Sequence, residues 1–199
     1  MIKTFTYETK TSDETFHQTI HSIDLQTSVQ KWVNKINDLK NESYSFNPTQ
    51  VKNISDQFVA GQITTHFDKK PFYISFNLVD QTQICYINEI DKGDPDFIAQ
   101  LQYLTTEEGG RKGYAASGYR PHVKFDGKNL LTSGEQLFID KDKVFPGDTV
   151  KAEIRILTVD AFIDYLFQGQ NFEVSEGPHL VARGQIIEVV NQKLIKASS

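Results

Sequence analysis

The sequence predicts an α+β domain over residues 1–95 followed by an all-β barrel domain over residues 96–192. Three observations carry that expectation. A helical stripe runs along 24–40, where Leu25, Val29, Trp32, Val33, Ile36 and Leu39 share one face and Gln, Lys and Asn fill the other. Six short β-segments, separated by Gly- and Pro-containing turns, fill the second part, and helical periodicity is absent from 97 to about 157. Between the two parts, "DKGDPD" at 91–96 places Gly, Pro and three acids in six positions, the composition of a boundary.

The elements follow in order. "TFTYETK" alternates Phe5 and Tyr7 with polar residues and predicts a strand. The helix over 24–40 comes next. In "NPTQVKNISDQF", Asn47 is the expected N-cap and Pro48 the first helical residue. Val51, Ile54 and Phe58 then share a face, and the helix should end near Gly61. "PFYISFNLV" and "TQICYINEI" read as strands joined by a turn at "DQ". In the second part the β-segments are "DFIAQLQYL", "YRPHVKF", "EQLFID", "TVKAEIRIL", "NFEVSEG" and "LVARGQIIEVV". "AFIDYLF" suits a short helical turn. "FPGD" fits a type II turn, with Pro146 presetting φ and Gly147 taking φ > 0. The tail "QKLIKASS" is expected to fray.

Composition narrows the function classes. With 199 residues, 38% hydrophobic and 24% charged, the chain can bury a core, and fourteen Phe and eight Tyr make that core aromatic. A net charge of −5 argues against coating nucleic acid through bulk charge, though a local patch stays open. One cysteine, Cys85, allows neither an internal disulfide nor a multi-cysteine metal site. No apolar run has the length of a signal peptide or a membrane helix, so a cytoplasmic protein without membrane contact is expected.

One basic stretch stands out. Residues 111–128 hold Arg111, Lys112, Arg120, Lys124 and Lys128 against a single acid, Asp126. Glycines beside the two arginines permit close backbone approach, and guanidinium groups grip phosphate with two parallel hydrogen bonds. These features suit an RNA backbone. They equally suit internal pairing of the cations with Glu107 or Glu108, with the glycines only turning corners. His17 and His21 have ligand spacing for a helix, but no third ligand accompanies them, so surface histidines and no metal are expected. His122 and His179 sit in turns and can approach each other in a barrel. No nucleophile or orienting group accompanies them, and no catalytic residue is assigned.

The stretch "EEGGRKGYAASGYRP" resembles the opening of the third domain of bacterial elongation factor Tu, which runs Glu-Glu-Gly-Gly-Arg and then Gly-Tyr-Arg-Pro at the same spacing. "VFPGDTVKAEIRIL" and "FEVSEGPHLVARGQIIEVV" are similar to two later motifs of that domain, in the same order. The resemblance covers about residues 97–190; residues 1–95 carry none. It implies a six-stranded antiparallel barrel that touches tRNA or a translation-associated protein. Arg120, Glu176 and Gly177 match tRNA-facing positions, and Lys112 stands where the family has histidine. The sequence departs from the pattern at Ser175 and His179, where the family has arginines, with Arg183 appearing downstream. It lacks the Asp-Val-Thr-Gly segment, reading "KNLLTSG" nearby. No G-x-x-x-x-G-K-[ST] loop is present, so GTP is not expected to bind and no cofactor is implied.

The function expected is a non-catalytic binding module near the translation apparatus. Its candidate contact residues are Arg111, Lys112, Arg120, Lys124, Glu176 and Gly177. The alternative is a regulatory or immunity-like protein–protein module unrelated to translation. A third reading is a small hydrolase with its chemistry in residues 1–95.

Overall fold

The computed structural model describes residues 2–10, 15–22, 24–38, 48–68, 72–78 and 81–197. The chain divides into two compact units, Ile2–Lys92 and a second that begins at Gly93.

The first unit is a five-stranded antiparallel sheet with two helices. Its strands are β1 (Lys3–Lys10), β2 (Thr15–Ser22), β3 (Thr64–His66), β4 (Phe72–Leu78) and β5 (Gln81–Ile90), in the order β2-β1-β5-β4-β3. Helices α1 (Leu25–Asp38) and α2 (Pro48–Val59) lie between β2 and β3 in the chain. The Asp24 carboxylate starts α1, accepting from the Thr27 N–H at 2.7 Å and the Thr27 hydroxyl at 2.9 Å. Helix and sheet meet at Trp32, which stacks on Tyr7 with centroids 5.3 Å apart and planes 8° from parallel. Burying a phenol requires a polar partner, and Ser28 supplies it 2.6 Å from the Tyr7 hydroxyl. Desolvation pushes the Tyr7 hydroxyl's pKa well above its ordinary value.

Two strands escape a reading by periodicity. β2 carries apolar residues only at Phe16 and Ile20 of its sequence "TFHQTIHS", so it is fixed by its register with β1 rather than announced by an apolar pattern. His17 and His21 lie on a strand, where residues four apart stand about 13 Å apart, so the helical ligand spacing does not apply to them. β3 has only three residues. The expected N-cap Asn47 and the turn ahead of Gln81 lie outside the described residues, as does Leu39.

The second unit is a closed antiparallel barrel built from β6 (Phe97–Tyr103), β8 (His122–Phe125), β9 (Leu131–Phe138), β11 (Thr149–Ile156), β12 (Asn171–Glu176) and β13 (His179–Val189). Their order around the barrel is β11-β6-β13-β12-β8-β9. All six expected β-segments are strands. A two-stranded ribbon, β7 (Ala115–Ala116) with β10 (Lys143–Val144), was not foreseen, because two-residue strands leave no period to read. The interior is aromatic: Phe97, Phe125 and Phe172 approach one another with centroids 5.6–5.7 Å apart, and Phe162 lies 5.1 Å from Phe125. Asp96, expected in a boundary, is buried and fastens the barrel. Its carboxylate accepts from the Ile156 N–H and the Asn191 amide, both at 2.7 Å.

The tail does not fray where it is described. Leu194 is fully buried, and its carbonyl accepts from the Leu166 N–H at 2.7 Å, while the Lys196 N–H donates to Leu166 at 2.8 Å. The apolar side chain of Leu194 outweighs the polar composition around it. A short helical turn was expected over residues 161–167; a 3₁₀ turn forms at Val159–Phe162, overlapping it at Ala161 and Phe162. No described helix is long and apolar enough to cross a membrane.

Candidate partner-binding surface

The two arginines of the basic stretch are both spoken for. Arg111 forms an ion pair with Glu176, and its guanidinium lies over the Tyr119 ring, 4.7 Å from the centroid. It also donates to the Tyr114 carbonyl at 3.2 Å. The Tyr119 hydroxyl donates to the same Glu176 carboxylate at 2.6 Å. Burial raises the Tyr119 pKa, with Arg111 opposing that shift. Arg111, Tyr119 and Glu176 therefore brace two distant chain segments at the barrel's rim. Arg120 donates through Nε and Nη2 to one oxygen of Glu135, at 3.2 and 2.7 Å.

Internal pairing was expected with Glu107 or Glu108, but it occurs with Glu176 and Glu135. Glu108 instead closes its own turn, accepting from the Thr105 N–H at 2.9 Å. The sequence hid these partners because each comes from another strand, brought near by register alone.

Lys112 is exposed and Lys124 half-buried, and among the described residues neither has an ion-pair partner. Gly177 carries the hairpin turn between β12 and β13 at φ 56°, with nothing near an added Cβ. His122 and His179 are not neighbours: their register places them opposite Ser175 and Glu176, with β12 running between their strands.

The open arginine among the described residues is Arg183, outside the candidate set. It is exposed on β13, and no hydrogen bond or ion pair engages its guanidinium among the described residues. Two surface grooves meet at it. One, of about 520 Å³, is lined by Leu104, Glu108, Pro178, His179 and Leu180 as well. The other, of about 570 Å³, is lined by Gln100, Gln102, Asp126, Asn171, Glu173 and Gln185 among others.

A β-bulge aims these side chains. Val174 pairs with Ala182 but Ser175 pairs with Leu180, so Val181 is an extra residue. Val181 and Ala182 are both buried, which turns Leu180 and Arg183 outward, three positions apart. Without the extra residue, Leu180 would share the inward face with Ala182. The outward row across the sheet then reads Lys124, Glu173, Arg183, Gln102 and Thr149.

At the ribbon, Tyr114 and Phe145 are exposed and packed at 6.0 Å, with the Lys143 ammonium 4.8 Å from the Tyr114 centroid. Cys85 is a buried thiol in β5. Among the described residues, no cluster of three or more His, Cys, Asp or Glu is placed to hold a metal. No family model matches the sequence.

Proposed function

We propose that this chain is a non-catalytic binding module whose barrel docks a protein partner along the outer face of β13. One observation carries the reading: two grooves converge on Arg183, an exposed guanidinium with no partner among the described residues. The lining suits a polypeptide. Gln100 offers an amide to a backbone, whereas the Gln102 and Gln185 amides are held internally; Leu104, Leu180 and Pro178 offer an apolar seat, and Arg183 offers a fork for a carboxylate. The resemblance to the partner-contacting third domain of elongation factor Tu is compatible with such a role, near the translation apparatus or away from it.

A tRNA-contacting role is the second reading, favoured by the open cations Lys112, Lys124 and Arg183. Against it, Glu108, Asp126 and Glu173 line the same grooves, and each would repel a phosphate backbone.

The test compares the wild-type chain with Arg183→Glu as baits in extract of its source cells, with and without ribonuclease. The protein-docking reading expects partners that survive ribonuclease and are lost with Arg183→Glu. Capture that depends on RNA would move the reading to tRNA. Capture indifferent to Arg183→Glu would remove the groove from either account.

A further inference from the structure

Strand β2 is the last on its side of the first unit's sheet, and among the described residues no strand pairs with its outer edge. Its sequence, "TFHQTIHS", contains no Asp, Glu, Lys, Arg or Pro. The devices that usually protect a sheet edge are therefore missing from the strand itself. They come from α1 instead. The Lys31 ammonium donates to the His21 carbonyl at 3.0 Å, and the Lys35 ammonium to the Thr19 carbonyl at 3.1 Å.

The spacing fits both elements. Carbonyls of alternate residues leave a strand on one edge, about 6.6 Å apart. Side chains at i and i+4 on a helix are separated by about 6 Å along its axis. The pairing is crossed, with the earlier lysine on the later strand residue. Hence α1 runs antiparallel to β2 and two successive edge carbonyls meet two successive lysines.

An antiparallel edge is complementary to itself under a twofold axis, so a second copy of the same strand is its simplest partner. We propose that Lys31 and Lys35 hold β2 apart from β2 of a second copy of this chain. Their ammonium groups occupy carbonyls that an incoming strand's N–H groups need. A β2–β2 seam would also bring two lysines from each copy together, an unfavourable gathering of like charge.

The experiment measures molar mass against concentration, by sedimentation or light scattering, for wild type and for Lys31→Met/Lys35→Met. The wild type should show no association through β2, and the double variant should double its mass as concentration rises. Thr19→Pro supplies the control. In an antiparallel strand a residue's N–H and C=O point to the same side, so the Thr19 N–H also faces the outer edge and proline costs no bond to β1. Adding Thr19→Pro to the double variant should return it to the wild-type mass.

The proposal is overturned if the double variant keeps the wild-type mass, or if its dimer survives Thr19→Pro. It is also overturned if the wild type already dimerises and Thr19→Pro breaks that dimer. Should the double variant fail to fold, Lys31→Met and Lys35→Met alone each leave one carbonyl capped. At least one must then dimerise at high concentration, and two monomeric singles would overturn the proposal.

Discussion

At the rim of the barrel, Arg111 and Arg120 are each met by a carboxylate; on the outer face of β13, Arg183 is met by none among the described residues. The difference lies in register. The rim brings turn residues against the end of β12 and the middle of β9, where Glu176 and Glu135 wait. Strand alternation turns Arg183 onto a face where its cross-strand neighbours are Glu173 and Gln102, neither bonded to it, and the bulge at Val181 brings Leu180 out beside it. An arginine held by a carboxylate fastens the fold, whereas one left open is available to a partner. Replacing residues in the two regions should therefore separate loss of stability from loss of binding.

The largest effect is expected from Gly184→Ala, on the inner side of the groove strand. A Cβ there would lie 2.2–2.6 Å from three carbons of the Phe172 ring, and Phe97 and Phe125 hem that ring in. Overpacking of this kind costs about 1–3 kcal/mol, occasionally more. Thermal unfolding should show the loss, and docking should weaken with it because β13 must shift. An unchanged melting temperature would mean that the Phe172 ring has room to move.

Breaking the rim brace should cost less. Glu176→Gln removes the charge shared by Arg111 and Tyr119, whose side chains join the ribbon turn to β12. Glu176 is 43% exposed, so solvent screening limits the loss to about 1 kcal/mol. A double-mutant cycle with Arg111→Ala measures the coupling directly, and additive losses would show that no brace exists.

The sharpest comparison pairs Arg120→Ala with Arg183→Ala. Glu135 is only 10% exposed, so removing Arg120 should lower stability by about 1 kcal/mol and leave docking intact. Arg183→Ala should leave the melting temperature nearly unchanged but weaken docking about 10-fold or more, as expected for a lost charged hydrogen bond. Calorimetric binding and thermal unfolding on both variants would decide. The reverse pattern would return the candidate site to the basic stretch.

How far the sequence reaches is visible in these same residues. The stripe Val29-Trp32-Val33-Ile36 announces α1, because one helix face buries it against a sheet. Short β-segments separated by Gly- and Pro-containing turns announce the six barrel strands. What the sequence conceals is everything set by pairing: β2, which has two apolar residues in eight, and the ribbon, too short for a period. The partner carboxylates of Arg111 and Arg120 lie 65 and 15 residues away. Arg183 is likewise invisible as a centre, since a bulge adds one residue to a strand without any mark in composition. A basic cluster along the chain is thus a poor guide to open charge, because folding pairs both of its arginines with acids brought from elsewhere in the chain.

The smallest effect tests how the groove is supported. Its wall residue Leu104 accepts a hydrogen bond through its carbonyl from Gly147, at 3.3 Å, in the turn 145–148 that Pro146 and Gly147 shape. Asp148 fastens that turn: its carboxylate accepts from the Phe145 N–H and the Lys141 ammonium, both at 3.1 Å. Those bonds, the backbone one foremost, hold its pKa below the ordinary aspartate value. A carboxyl with a depressed folded pKa binds its proton more readily when unfolded. It therefore contributes stability above the unfolded value of about 3.9, and that contribution disappears as pH falls through the lower folded value. Asp148→Asn should cost little near neutrality, since the group is partly exposed and the amide oxygen can still accept from Phe145. Its distinctive mark is in acid: the melting temperature of the variant should decline less steeply below about pH 4 than that of the wild type. Parallel acid limbs would mean that the carboxylate does not fasten the turn, and that the Pro-Gly geometry alone holds Leu104 in the groove wall.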